Sequence, residues 1–194
     1  MNKTLCISTF ALAFAAASYG APITFTGMLS GANENPATTS PGTGSTVVTY
    51  DPASHMLSVD LVFSGLETGT TAAHIHCCVL PNGNAGVATT VPTFPDFPLG
   101  VTSGTYVHTL DLSLASSFNP AFVTASGGTV ADAEAALATG LEGGMAYLNI
   151  HTTTFPNGAI RAFLEPVPEP GTAALAMTAL AGLWLLRRKR AGRN

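Results

Sequence analysis

The chain has few charged residues. Lys, Arg, Asp and Glu make up only 9 % of its 194 residues, and the formal net charge is −4. Its few basic residues are concentrated near the C-terminus, so the sequence lacks the basic surface that nucleic-acid binding requires. The hydrophobic fraction of 46 % is too high for a disordered chain. These values exclude a nucleic-acid partner and indicate one folded domain with accessory segments.

Cysteine is also scarce. Of the three cysteines, Cys6 lies in a segment that we expect to be removed, which leaves the adjacent pair Cys77 and Cys78. One pair excludes a disulfide framework. Neighbouring side chains of a regular strand point to opposite faces, so a bond between Cys77 and Cys78 requires the strand to break there. We therefore favour a strand end at this pair. Three alternatives are open: a vicinal disulfide, a bond between molecules, or a thiol and a metal ligand.

The first 20 residues have the features of a secretory signal peptide. Lys3 provides a positively charged n-region, and residues 5–17 form an apolar h-region that is short for a membrane span. Small residues at Ser18 and Gly20 occupy the positions that signal peptidase requires. We therefore expect export and cleavage after Gly20.

The last 28 residues, 167–194, have three parts. A short polar motif precedes an uncharged apolar run, 172–186, and a basic cluster follows it. A transmembrane helix over this run spans roughly 20 Å, which is short for a hydrocarbon core of ~30 Å, so it requires local thinning of the bilayer or snorkelling. Positive charge keeps that end in the cytoplasm and the main domain outside. The polar motif is Pro168, Glu169 and Pro170, and the basic cluster is Arg187, Arg188, Lys189 and Arg190.

This order of motif, helix and basic tail resembles the PEP-CTERM sorting signal. The resemblance implies recognition by a membrane-embedded exosortase and removal of the tail. It also implies release or transfer of the protein to the envelope or extracellular matrix of a Gram-negative bacterium. An ordinary membrane anchor is the alternative.

Residues 22–165 have the pattern of an all-β domain. Short apolar segments alternate with turns rich in Gly, Pro and Asn, most clearly over 56–63, where every second residue is apolar. One helix is expected over 129–139, with Thr129 as its N-cap. About seven short strands and one short helix predict an antiparallel, immunoglobulin-like β-sandwich. The expected strands are 23–29, 45–50, 56–63, 73–78, 105–112, 145–151 and 159–165.

A long connection rich in Pro and Gly separates two of these strands. It covers residues 81–100 and exceeds the usual length of a loop in a compact domain. We expect either an ordered functional loop or a mobile flap.

Three of the five histidines lie in two short apolar runs, 73–78 and 147–152. Side chains two residues apart on a strand share a face, so His74 and His76 project together. The same parity places Asn149 beside His151.

If these two faces meet, three imidazoles form a site for Zn²⁺ or Cu²⁺ at roughly 2.0–2.1 Å. The site consists of His74, His76 and His151. Cys78 is a less strongly indicated fourth ligand, and Asn149 is expected to orient a ring. The alternative is that these side chains hydrogen-bond to one another and fix the register of two strands.

Three motifs together resemble the CHRD domain, first described in chordin. They are LSGANENP at 29–36, AHIH at 73–76 and YLNIHT followed by FPNGAIR within 147–161. The resemblance covers residues 22–165 and implies an immunoglobulin-like barrel related to Cu/Zn superoxide dismutase, with no general activity established for the family. The chain departs from the family pattern at Ala159 and Ala162, where an acidic residue and a glycine are usual near Arg161.

No catalytic residue is predicted. The sequence lacks a G-x-S-x-G elbow, and the histidine cluster has fewer members than a dismutase copper–zinc pair requires. We expect a non-enzymatic interaction or structural module without a cofactor. Its expected partners are signal peptidase and exosortase during processing, then exopolysaccharide or envelope proteins. The alternative is a metal-binding protein or metal-dependent enzyme that uses the three histidines.

Overall fold

The computed structural model describes residues 20–168. The predicted signal peptide, except Gly20, lies outside the described residues. So do Glu169 and Pro170 of the polar motif, the apolar run 172–186 and the basic cluster. Within residues 20–168, no helix has both the length and the apolar character needed to cross a membrane.

The described chain is mostly antiparallel β-structure, which confirms the predicted all-β class. Two α-helices and two short 3-10 turns accompany the strands. The strands are β1 (Ile23–Ser30), β2 (Thr43–Asp51), β3 (Met56–Ser64), β4 (Thr70–His76), β5 (Gly104–Asp111), β6 (Tyr147–Thr152), β7 (Ile160–Phe163) and β8 (Glu165–Pro166). The helices are α1 (Pro120–Ala125) and α2 (Val130–Glu142), and the 3-10 turns are Gly31–Asn33 and Ala115–Ser117.

The strands form one curled sheet in the order β4-β6-β7-β1-β2-β3-β5, with β8 paired to β1. Strands β1 and β7 are paired only at Ser30 and Arg161, whereas β1 pairs with β2 along its whole length. The sheet therefore has two parts. We call β4, β6 and β7 the three-stranded layer, and β1, β2, β3 and β5 the four-stranded layer.

Side chains from both layers fill one hydrophobic core. On β3 the predicted alternation holds, because Leu57, Val59, Leu61 and Phe63 are all buried. Inward and outward residues alternate along a strand, so the side chains on the outer face of each layer do not enter this core. The three-stranded layer contributes Ala73, Ile75, Leu148, Ile150, Ile160 and Ala162 to the core.

Between residues 22 and 165 the structure contains two α-helices where the sequence predicted one. Helix α1 begins at Pro120 because the Asn119 side chain accepts a hydrogen bond from the backbone N–H of Ala121 at 3.0 Å. With six residues, α1 is too short to show a helical period. Helix α2 has the predicted N-cap, since Thr129 Oγ1 accepts from the backbone N–H of Asp132 at 3.1 Å.

Helix α2 continues to Glu142 instead of ending at residue 139. It passes through Gly140, which lies against the sulfur atoms of Cys77 and Cys78, where a Cβ would overlap them. This glycine permits close packing of the helix and does not mark its end.

The predicted long loop is ordered along the free edge of β4. Backbone N–H groups of Ala88 and Phe94 donate to the carbonyls of Ile75 and Ala73 at 2.9 and 3.0 Å. The loop thus satisfies the backbone of an edge strand, which otherwise offers a template for aggregation. It also covers the outer face of the three-stranded layer.

Candidate functional site: a buried histidine cluster

His74, His76 and His151 lie together on the outer face of the three-stranded layer. The ring centroids of His74 and His151 are 5.3 Å apart, those of His74 and His76 5.8 Å, and those of His76 and His151 6.0 Å. One nitrogen of each ring lies within 4.8 Å of the other two. The two histidine faces that strand parity predicted therefore meet.

Strand register explains this meeting. Antiparallel β4 and β6 place His74 opposite Asn149, and Ala72 opposite His151. His151 is thus the diagonal neighbour of His74, a separation that long side chains bridge on one face of a sheet.

Each ring is fixed by a backbone carbonyl from a loop. His74 donates from Nε2 to the carbonyl of Pro92 at 2.7 Å, and His76 donates from Nδ1 to that of Ala85 at 2.9 Å. His151 donates from Nδ1 to the carbonyl of Pro156 at 3.0 Å. A carbonyl only accepts, so in each ring the bonded nitrogen carries the proton and the other nitrogen keeps a free lone pair.

The free nitrogens are His74 Nδ1, His76 Nε2 and His151 Nε2. All three are buried and have no hydrogen-bond partner among the described residues. A ring that donates one N–H to a carbonyl and presents the other nitrogen is the usual arrangement of a histidine metal ligand. The cluster therefore has the donor set of a three-imidazole metal site.

Burial keeps the cluster uncharged at neutral pH. Desolvation lowers the pKa of His74 and of His76 to about 4 and lowers that of His151 below its ordinary value. Neutral imidazole is the form that binds metal ions, so the fold holds these rings ready for coordination.

A buried carboxyl lies beside the cluster. Asn149, which is 2 % exposed, donates from Nδ2 to the carboxyl oxygens of Glu34 at 3.1 and 3.2 Å. Burial raises the pKa of Glu34 to about 7, although Arg161 and Asn149 oppose this shift. The Asn149 amide is thus hydrogen-bonded to Glu34, and loop carbonyls orient the histidine rings. This differs from the ring-orienting role that the sequence predicted for Asn149.

Arg161 is also buried, with 1 % of its surface exposed. Its Nη1 donates to the carbonyl of Gly83 at 3.0 Å and to Asn84 Oδ1 at 2.8 Å, and its Nε donates to the carbonyl of Asn33. Its acidic neighbour is Glu34, at 3.9 Å between Nε and Oε2. This acidic neighbour comes from the first motif, and not from position 159, where the resemblance to the CHRD domain implies an acidic residue.

The expectation that Cys78 supplies a fourth ligand does not hold in this structure. Cys78 is joined to Cys77 by a disulfide, and its sulfur lies against Gly140. The bonded sulfur provides no thiolate for a metal. Strand β4 ends at His76, immediately before this pair, as favoured from strand parity.

Sequence reasoning missed the groups that fix the rings. Backbone carbonyls carry no sequence signal, so Ala85, Pro92 and Pro156 were not recognisable as partners. Tyr147 was missed as well, although its ring stacks on that of His76 at 4.8 Å with planes 6° apart. The sequence did carry a signal for Tyr147, because a residue two positions before Asn149 on the same strand shares its face.

Comparison with known families extends the structural findings. The model of the CHRD domain matches residues 25–164, and that of the PEP-CTERM protein-sorting motif matches residues 166–190. No curated protein and no solved structure matches the chain significantly. The sorting motif implies recognition by an exosortase and export to the cell envelope or extracellular space. The chain belongs to the CHRD-domain family and carries a PEP-CTERM sorting motif after that domain.

Proposed function

We propose that this protein is a non-enzymatic CHRD module of the cell envelope or extracellular matrix that binds one Zn²⁺ or Cu²⁺ ion. His74, His76 and His151 are the protein ligands. The sorting motif at residues 166–190 supports the location, and the histidine cluster supports the chemistry.

The observation that carries the proposal is the set of three free ring nitrogens. Leaving a buried polar atom without a partner costs about 1–3 kcal/mol. Mutual hydrogen bonds between the rings, the alternative explanation, require one ring N–H to point at another ring. Each N–H instead bonds a loop carbonyl, which leaves three acceptors facing one another. A shared cation satisfies all three at once.

The donor set favours Zn²⁺ or Cu²⁺ over Ca²⁺ or Mg²⁺. Imidazole suits the first two ions, whereas the last two require oxygen ligands. Three histidines leave a fourth position open, as in zinc sites that bind an exogenous ligand.

A non-enzymatic role is supported by the family and by the residues near the cluster. CHRD is a family of non-catalytic modules. The hydroxyl groups of Thr89 and Thr93, on the loop beside β4, bond to the backbone of β4 and are not paired with a histidine. Binding or structural support in the matrix therefore accounts for the features of the cluster.

Metal analysis tests the proposal. The purified protein is equilibrated with Zn²⁺ or Cu²⁺, dialysed and analysed by inductively coupled plasma mass spectrometry. We expect about one ion per chain, and almost none in a His74→Ala/His76→Ala variant. His108→Ala, which removes a histidine from β5 in the other layer, is the matched control and should keep full occupancy. Equal metal content in the double variant and the control contradicts the proposal.

Processing by exosortase has a separate test. Mass spectrometry of the mature protein should find the chain ending near the polar motif that includes Pro168. Recovery of the intact basic cluster from the mature protein contradicts removal of the tail.

A further inference from the structure

We propose that the metal ion carries a small carboxylate anion as its exogenous ligand, bound in the cavity between the histidine cluster and Arg161. The inference rests on the proposed metal site and names the ligand class that completes it.

A cavity of about 290 Å³ adjoins the histidine cluster. His76 and Tyr147 line it on the side of the cluster, and Asn149 and Arg161 line it along the neighbouring strands. Glu34, from the first motif, also lines the cavity. The cavity is at the lower end of the size range of small-molecule sites, so it suits a ligand of a few heavy atoms.

Arg161 has an unused donor in this wall. Two of its three nitrogens, Nε and Nη1, bond to loop oxygens, while Nη2 is buried without a partner among residues 20–168. A buried guanidinium nitrogen is costly to leave unpaired, and its strongest partners are carboxylate and phosphate oxygens. The free Nη2 therefore points to an anionic ligand.

The strand register relates this donor to the proposed metal. His74, Asn149 and Arg161 occupy directly opposite positions on β4, β6 and β7. The Tyr147 ring contacts both sides of the cavity, because it stacks on His76 and lies 4.7 Å from the guanidinium carbon of Arg161. Arg161 and the three histidines therefore share one face of the layer, and an anion that accepts from Nη2 lies on the same face as the proposed metal.

Charge favours an anion over a neutral ligand. The three histidines are neutral, so a divalent ion and Arg161 together outweigh the carboxyl of Glu34 whether or not it is ionised. Asn149 Oδ1 is buried and has no partner in the described part of the chain, but it is an acceptor, so it does not bind the anion. It suits a water molecule that accompanies the metal.

Formate and formamide form a matched pair of probes, because they have the same size and differ in charge. The Cu²⁺-loaded protein is titrated with each at constant ionic strength, and the electron paramagnetic resonance spectrum of the copper is recorded. We expect saturable spectral change with formate and at least about tenfold weaker binding of formamide. Equal affinity for the two probes, or no response to formate, overturns the inference.

Arg161→Lys keeps the positive charge and removes Nη2. We expect its affinity for Cu²⁺ to stay within about threefold of wild type and its affinity for formate to fall about tenfold or more. Unchanged formate affinity overturns the inference. If this variant does not fold, the formate and formamide comparison in the wild-type protein still decides the matter.

The copper titration precedes both arms and separates the two proposals. Failure to bind Cu²⁺ contradicts the metal site itself. Binding of Cu²⁺ without a formate response leaves the metal site standing and removes only the anion.

Discussion

The two layers of the sheet use their outer faces differently. On the four-stranded layer the outer face is open to solvent, and Met28 and Val107 are 73 % and 74 % exposed. On the three-stranded layer, His74, His76, Asn149 and Arg161 are buried on the outer face. The first layer serves the core alone. The second also holds a set of buried polar groups, and the proposed metal and anion sites lie among them.

Loops create this difference. Segments 31–36, 81–92 and 153–158 lie over the three-stranded layer and supply carbonyls to Arg161 and to the histidines. Burying polar groups costs free energy unless they are hydrogen-bonded. The loops satisfy most of these groups, but within residues 20–168 three ring nitrogens, one guanidinium nitrogen and the side-chain oxygen of Asn149 have no hydrogen-bond partner. The unsatisfied atoms locate the proposed ligands.

The largest expected effect is that of replacing Arg161 on the covered outer face of the three-stranded layer. Arg161→Met removes the donor to the carbonyls of Asn33 and Gly83 and the positive charge beside the carboxyl of Glu34. We expect the free energy of unfolding to fall by about 3–5 kcal/mol, measured by urea denaturation. A loss below about 1 kcal/mol would show that the buried network does not stabilise this layer.

Lowering the pH should destabilise the metal-free protein, because it favours protonation of the histidines that are buried on the three-stranded layer. His74 and His76 ionise near pH 4 in the folded protein but at their ordinary pKa of 6.5 when unfolded. The unfolded chain therefore binds more protons between these values, and stability falls as the pH decreases from about 6.5 to 4. Glu34 acts in the opposite sense, because its pKa rises from 4.5 to about 7 on folding.

The contributions of His74 and His76 together exceed that of Glu34. The free energy of unfolding should therefore fall by on the order of 3 kcal/mol across this pH range. Urea denaturation at a series of pH values measures it. Glu34→Gln removes the opposing contribution and should make the loss steeper. His74→Ala/His76→Ala should remove the loss, because Glu34 is then the only one of these three groups left and it acts in the opposite sense. A double-histidine variant with the full wild-type pH dependence contradicts the assignment.

Sequence patterns predicted the framework and the two histidine faces, but left open whether these faces meet. Alternation identified β3, and strand parity placed His74 and His76 on one face. Parity does not reveal tertiary partners, so the pairing of Arg161 with Glu34 and the carbonyls that fix the rings required the structure. The Cys77–Cys78 bond was left open, since adjacent cysteines are compatible with several states.

Metal addition should stabilise only a protein with an intact cluster. At a free Zn²⁺ concentration of 100 times the dissociation constant, we expect a gain of about 2.7 kcal/mol in the free energy of unfolding. Chemical denaturation with and without Zn²⁺ measures this gain. His108→Ala should show the same gain and His74→Ala/His76→Ala none, and equal stabilisation of both variants would place the metal elsewhere.

The smallest effect is expected on the open face of the four-stranded layer. Val107→Thr keeps a β-branched side chain at an exposed position of β5. We expect a change within about 0.5 kcal/mol in urea denaturation and unchanged metal content. A larger loss would mean that this face is covered in the native protein and that the two layers are more alike than proposed.

X-ray absorption spectroscopy of the Zn²⁺-loaded protein tests the central claim most directly. The fine structure at the zinc edge reports the number and type of coordinating groups. Coordination by His74, His76 and His151 predicts three imidazole nitrogens at about 2.0–2.1 Å and one further light ligand. A shell without imidazole, or one that the His74→Ala/His76→Ala substitution leaves unchanged, would contradict a metal site on the three-stranded layer.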